Sequence, residues 1–287
     1  YQWYESILSE TARLGLMVNF HGSVIPRGWA RTYPQVIGYE AIRGAEYYVF
    51  YKEPLNSLHN VCQVFTRNVV GSMDYTPVTF SAPNRTTSNV HELALSIAFE
   101  CGITHFADSP DSYRLHPVAK ELLKSLPDTW DETRLLGGTP DSYALIARRT
   151  GSKWFLACIN GQNDSRVPLN LSKIIQIDHD LRSAESTLVR DFNSSIDQGN
   201  SSLVVESLFQ IREDTFIDVP RDGGFIIVVD LERDSQRGIP AKASPSLNPT
   251  SVRPGLEQAD CSGKVTLPCT PEEICRPAPG WEIIARS

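Results

Sequence analysis

The sequence predicts an α/β fold, a partial (β/α)8 TIM-type barrel, followed by an all-β sandwich domain and an irregular Cys-containing tail. Three observations carry this prediction. Before residue 128, helix-period segments alternate with short apolar runs, the pattern of a parallel α/β sheet. From about residue 129 the pattern becomes strand, turn, strand. After Glu232 the stretch "DSQRGIPAKASPSLNPTSVRPG" is rich in Pro and Ser and has no periodicity. The expected domains are therefore residues 1–128, 129–232 and 233–287.

In the first segment, residues 2–13, "QWYESILSETAR", predict an amphipathic helix. Trp3, Ile7 and Leu8 share one face, and Glu5, Ser9 and Glu10 lie largely opposite. Gly15 ends the helix, and Leu16–Phe20 is long enough for a buried strand. Residues 88–101 predict a second helix with Leu93, Ile97 and Ala98 as its apolar stripe. "ITHFAD" then supplies a short strand, and "HPVAKELLKSLP" a third helix, with Pro117 near its start. These make three α/β units at most. A closed barrel needs about eight strands and roughly 250 residues, so this segment can supply only part of one. "YQWYESILSE" has neither an initiator Met nor a signal peptide, and reads as the interior of a longer chain.

In the second segment, Thr150-Gly151-Ser152 is a hairpin turn between "YALIARR" and "KWFLACI". "STLVRDF", "SSLVVESLF", "TFIDV" and "GFIIVVDL" continue as strands. In the tail, Cys261, Cys269 and Cys275 crowd the last residues as a stapled element or a docking arm.

Composition narrows the function classes. The 287 residues are 41% hydrophobic and 21% charged, which suits a buried core. Net charge is −7 with no Lys/Arg run, so nucleic acid is a poor partner. No apolar run approaches the roughly 20 residues that span a bilayer. Asn84, Asn163, Asn170, Asn193 and Asn200 each begin an N-x-[ST] triplet, and the last four fall within the expected β domain. They point to a secreted, extracellular glycoprotein. Six cysteines fit an oxidising compartment, with Cys62, Cys101 and Cys158 either buried thiols or disulfide partners.

Chemistry in a barrel sits at the C-terminal ends of its strands. His21, after Leu16–Phe20, and Asp108, after "ITHFA", are placed to line a site. Each also has a structural reading, as a hydrogen-bonded loop histidine and a turn aspartate. Glu40 and Glu46 are six residues apart with Gly44 between them. A regular helix would set them about 120° apart, whereas a strand would put them on one face. Their neighbours Tyr39, Ile42, Tyr47, Tyr48 and Phe50 are apolar and aromatic, surroundings that raise a carboxyl pKa as a general acid requires. The other reading is a solvated surface pair.

The order "VNFHG", then "RTYP", "YEAIRGAEYY" and "FTRNVVGSMDYTP", resembles the catalytic barrel of glycoside hydrolase family 97, a family of α-glucosidases and α-galactosidases. The resemblance continues through "HELALSIAFE", "FADSPDSY", "TWDETRLL", "YALIARRTGSKWFLACIN" and Gly223-Gly224-Phe225, over roughly residues 1–232. It implies an N-terminal sandwich, a central barrel and a C-terminal β domain, of which this chain would hold the later parts. It implies that Glu46 in "RGAEYY" is the general acid, or acid/base. Glu40 in "GYEAIRG" would ligate Ca2+, and His21 and Arg31 would contact sugar hydroxyls. Inverting members resemble N-G-H-E where this chain has Asn19-Phe20-His21-Gly22, so their base is absent here. The N-F-H-G form implies a retaining enzyme whose aspartate nucleophile would lie about ten residues before Tyr1.

The implied parent is a calcium-dependent retaining α-glycosidase acting on oligosaccharides, α-galactosides more than α-glucosides. The alternative is a non-catalytic structural or carbohydrate-binding extracellular glycoprotein. Either would need the N-terminal remainder of the barrel or a partner chain to cover open sheet edges.

Overall fold

The computed structural model describes residues 1–51, 55–161, 163–169, 186–191, 203–209, 211–212 and 215–231. The tail from residue 233, with its three cysteines, lies outside them, as do Asn170, Asn193 and Asn200. Everything described belongs to one compact unit, Tyr1–Pro240.

The first part runs α1 (Gln2–Leu14), β1 (Val18–Phe20), α2 (Trp29–Thr32), β2 (Val36–Tyr39), α3 (Tyr47–Phe50), α4 (Ser57–Phe65), α5 (Arg67–Val70), α6 (Asn89–Ala98), α7 (Pro110–Leu115) and α8 (Pro117–Ser125). β1 and β2 pair in parallel, and Tyr39 makes a further parallel bridge to Met73. Gly15 ends α1 in the left-handed conformation that suits a residue without Cβ. Leu8 is fully buried, but Trp3 is exposed, with its ring against Tyr4 at 5.0 Å. The predicted strand is also shorter than expected, because Leu16 and Met17 are exposed and only Val18–Phe20 pairs.

"ITHFA" forms no ladder. The His105 N–H goes to the Asp74 side chain, and the Ala107 N–H to the Pro77 carbonyl. The segment therefore runs beside residues 74–77 without the repeating backbone exchange of a strand.

The second part is antiparallel. It comprises β3 (Glu132–Gly138), β4 (Tyr143–Thr150), β5 (Lys153–Asn160), β6 (Ser165–Pro168), β7 (Ser186–Asp191), β8 (Leu203–Phe209), β9 (Phe216–Val219) and β10 (Gly224–Asp230). Six strands make one sheet in the order β3-β4-β5-β10-β7-β8, and β6 pairs with β9 separately. Thr150 pairs with Lys153 across a two-residue turn in which Gly151 has φ 55°. Trp154–Asn160 of β5 are all buried, because both faces of the sheet are covered. One face, with Leu145, Trp154, Leu156 and Phe225, joins Val167, Ile217 and Val219 of β6 and β9. The other, with Phe155, Ala157, Ile159 and Ile226, joins Leu93, Ala94 and Ile97 of α6.

That second contact explains a departure from the predicted stripe: every residue of α6 is buried. At the end of α6, the buried Arg148 guanidinium of β4 donates to the Ile97 carbonyl at 2.6 Å and the Ala98 carbonyl at 3.0 Å. A cation there satisfies carbonyls that have no partner within the helix.

Candidate active site

Parallel pairing aligns the ends of β1 and β2. His21 and Glu40 each follow the last residue of their strand, and the Glu40 N–H donates to Phe20 O at 2.7 Å. The Gly22 N–H in turn donates to Glu40 Oε2 at 2.6 Å. Neither a helix nor a strand then links Glu40 to Glu46. The chain turns back through Ala41, at φ 41°, and the Ala45 N–H donates to Tyr75 O at 2.9 Å. Gly44 is packed so closely that a Cβ there would lie 2.5 Å from Tyr75 O. Glu46 stands at the N-cap of α3. The result brings together three of the residues singled out in the sequence. One ring nitrogen of His21 and one carboxylate oxygen each of Glu40 and Glu46 lie within 4.8 Å of one another.

The apolar enclosure expected around the two acids is only partly present. Glu40 is half-buried and Glu46 is exposed, with Tyr48 turned into the core and Phe50 outward.

Arg67 secures the loop from beneath. Its buried guanidinium donates to the carbonyls of Tyr39, Ala41, Gly71 and Ser72 at 2.8–3.3 Å. Sequence reasoning gave it no role, since a lone Arg in "FTRNVV" reads as surface. Asp74 was also missed, because an aspartate before Tyr-Thr-Pro looks like a turn residue. It is fully buried and accepts from Asn19 Nδ2 and His21 Nε2, both at 2.8 Å, and from His105 Nδ1. Burial alone would push its carboxyl up, but the hydrogen bonds from His105, His21 and Asn19 hold it below the ordinary carboxylate value.

Two other candidates do not join the cluster. Arg31 is exposed on α2, and no side-chain hydrogen bond or ion pair ties it to His21, Glu40 or Glu46 among the described residues. Asp108 serves the turn instead. It accepts from the Ser81 N–H and hydroxyl at 2.8 and 2.6 Å, from the Ser109 N–H at 2.7 Å and from the Ser112 hydroxyl at 2.8 Å. It also lines an open groove with Phe106, Tyr113 and Lys120. Among the described residues Cys62, Cys101 and Cys158 are free thiols, and none of the three is bridged to another.

Two family models match this chain: "Glycosyl-hydrolase 97 C-terminal, oligomerisation" over residues 129–230, and "Glycoside hydrolase 97" over residues 1–42. A protein of Streptomyces bingchenggensis named "Probable retaining alpha-galactosidase" is 43% identical over 174 residues, 59% of this chain and 27% of that protein. The chain belongs to glycoside hydrolase family 97. A retaining alpha-galactosidase of Bacteroides thetaiotaomicron is 29% identical over 161 residues, 52% of this chain and 24% of that protein. The chain thus spans about a quarter of the length of these curated relatives. Among solved structures, a family 97 enzyme of Pseudoalteromonas sp. strain K8 in complex with acarbose superposes with a TM-score of 0.70 at 24% identity. It covers 79% of this chain and 36% of its own. A beta-arabinopyranosidase superposes with a TM-score of 0.63 at 28% identity, over 78% of this chain and 36% of its own. These likenesses to family 97 were legible in the motifs.

Proposed function

We propose that the chain is part of a calcium-dependent retaining α-glycosidase, with α-galactosides as the favoured substrates and Glu46 as the acid/base. The observation that carries this is the convergence of Glu46, Glu40 and His21 at the aligned ends of two parallel strands. Both curated relatives named above are called retaining alpha-galactosidases. Gly22 supports retention. It has φ 58°, a conformation that strains any residue with a Cβ, so a glutamate base is disfavoured there.

In the first step Glu46 gives its proton to the glycosidic oxygen as the C1–O bond breaks. A carboxylate on the opposite face bonds to C1. In the second step Glu46, now ionised, takes a proton from water as the water oxygen attacks C1 and releases that carboxylate. An aspartate N-terminal to Tyr1 is the proposed nucleophile. The Glu40 carboxylate is near enough for the retaining separation of about 5–5.5 Å, but its Oε2 is occupied by the Gly22 N–H. His21 contacts sugar hydroxyls beside Glu46. Arg31, exposed on α2, reaches the sugar only by movement of its flexible side chain.

Ca2+ takes carboxylate oxygens, and the half-buried carboxylate of Glu40, close to Glu46 without being the proton donor, fits it as one ligand. When bound there, the cation supplies positive charge that offsets the acids and stabilises charge on the sugar oxygens.

We further propose that β1, β2 and the Met73 bridge belong to a (β/α)8 barrel over residues 1–128, with a β domain over 129–232. Exposed Trp3, Met17, Phe50 and Leu115 support coverage by the remainder of that barrel or by a partner chain. Asn84 and Asn163 are exposed, which supports glycosylation and secretion. Asn170, Asn193 and Asn200 are the other proposed acceptors.

The test is Glu46→Gln in the full-length protein, with an α-galactosyl disaccharide as substrate. Turnover falls about 10²–10⁴-fold. Wild-type turnover would contradict the assignment and leave the non-catalytic glycoprotein as the better reading.

A further inference from the structure

His21, which lies close to Glu40 and Glu46, has a second histidine, His105, beside it, and one buried carboxylate holds both. Asp74 Oδ2 accepts from His21 Nε2 and His105 Nδ1, and Oδ1 accepts the His105 backbone N–H at 3.1 Å. The two imidazoles stand edge to face, with centroids 5.8 Å apart. Asp74 has no exposed surface on its side chain, whereas those of His21 and His105 are 35% and 59% exposed. The anchor is therefore inside and the two rings face outward. An ionised carboxylate only accepts, so each ring must spend an N–H on it. That assignment leaves His21 Nδ1 and His105 Nε2 as bare acceptors when the rings are neutral.

The segment after Asp74 is also held in an uncommon conformation, with Thr76 at φ 55° and Val78 at φ 69°. β-branched residues are rarely held at positive φ outside functional or tightly constrained segments.

We propose that Asp74 is a positioning residue that fixes the tautomer and orientation of His21 and His105, so that the pair presents two acceptor nitrogens to sugar hydroxyl groups beside Glu46. This rests on the reading of Glu46 as the acid/base of a glycoside hydrolase. A pyranoside offers adjacent hydroxyls as donors, which suits two acceptors fixed at one distance. Orienting a ring through its far nitrogen is the role a carboxylate plays behind a catalytic or metal-bound histidine. Here the beneficiary is a substrate contact.

The test uses the full-length protein and whichever of an aryl α-galactoside and an aryl α-glucoside the wild type hydrolyses. Asp74→Asn keeps the shape, but its amide nitrogen must replace either Oδ2, which accepts from both rings, or Oδ1, which accepts the His105 backbone N–H, so the donors around it cannot all be served. It should lower kcat/KM about ten- to a hundredfold, mainly through KM. In a His21→Ala, His105→Ala background the same change should cost less than about twofold, since no imidazole is then left for Asp74 to orient. A merely structural aspartate would cost the same in both backgrounds, and that result overturns the proposal. His105→Gln alters an exposed side chain, so it decides the matter if Asp74→Asn does not fold. It should lower kcat/KM about tenfold, and wild-type kinetics overturns the proposal. Glu46→Gln is run in parallel. Its failure to slow turnover overturns the acid assignment, whereas normal kinetics in the Asp74 and His105 variants alone overturns only the present inference.

Discussion

The Glu40 and Glu46 carboxylates meet because the chain between them doubles back, not because of helical or strand spacing. The turn depends on contacts from outside it, namely the Tyr75 carbonyl against Gly44 and the Arg67 guanidinium under Tyr39 and Ala41. A six-residue spacing in the sequence could not reveal this, although Gly44 marked the break. Asp74 was hidden for the same reason, since its partners Asn19, His21 and His105 are 31 to 55 positions away. Asp108, singled out by its place after an apolar run, proves to be a turn anchor. Burial pulls its carboxyl up, but hydrogen bonds from Ser81, Ser112 and Ser109 hold it below the usual carboxylate range. Its folded pKa lies below the unfolded value of about 3.9, so its stabilisation is complete above that pH and fades as pH falls through the folded value. Asp108→Asn should therefore lower Tm at pH 6, and the gap to wild type should close toward pH 2–3. A gap independent of pH would contradict the role. For the proposed Ca2+ role of Glu40, a chelator should reduce activity and added Ca2+ restore it, and indifference to chelation would remove calcium from the account.

Among the elements, the long apolar runs of β4, β5 and β10 were legible, and so was the turn at Gly151. What misled was burial on two sides. The helix α6 shows an apolar stripe of Leu93, Ile97 and Ala98, which suggests one buried face, yet its polar residues are buried too. Asn89, His91 and Glu92 find partners in Arg85, Asn60, Tyr48 and Thr87. β3 escaped notice because Glu132, Thr133 and Arg134 break alternation and the register shifts between Leu135 and Gly137. Leu93 has no exposed surface and packs within the core shared with the sheet. Leu93→Ala should cost about 2–5 kcal/mol in urea unfolding. A loss under about 0.5 kcal/mol would show that α6 is not held as described.

On the scale of the molecule, the α/β part and the sheet are joined by buried polar contacts as well as by a common core. The His91 Nδ1–H donates to Gly223 O at 2.9 Å, while its Nε2 accepts from Asn60 Nδ2 at 3.0 Å. Ser57 hydrogen-bonds Asp222, and the Ser88 N–H donates to Asp222 O at 2.9 Å. With both ring nitrogens committed, His91 must stay neutral. Burial pushes its pKa below the ordinary histidine value. The unfolded chain then binds the extra proton more readily, so stability is full above about pH 6.5 and falls as pH drops toward the folded value. His91→Gln should flatten the fall in Tm between about pH 7 and 5. An unchanged slope would mean that the joint does not depend on the neutral ring. Such joints were beyond the sequence, where residues 91 and 223 carry no common signal.

The central claim is that Glu46 is the acid/base of a retaining enzyme, and azide rescue of Glu46→Gln in the full-length protein tests it most directly. With an aryl α-galactoside, whose leaving group needs little protonation, the variant should still form the glycosyl-enzyme but release it slowly. Azide needs no general base, so it should accelerate turnover and yield the α-galactosyl azide. Absence of rescue, or a β-configured azide, would contradict the account.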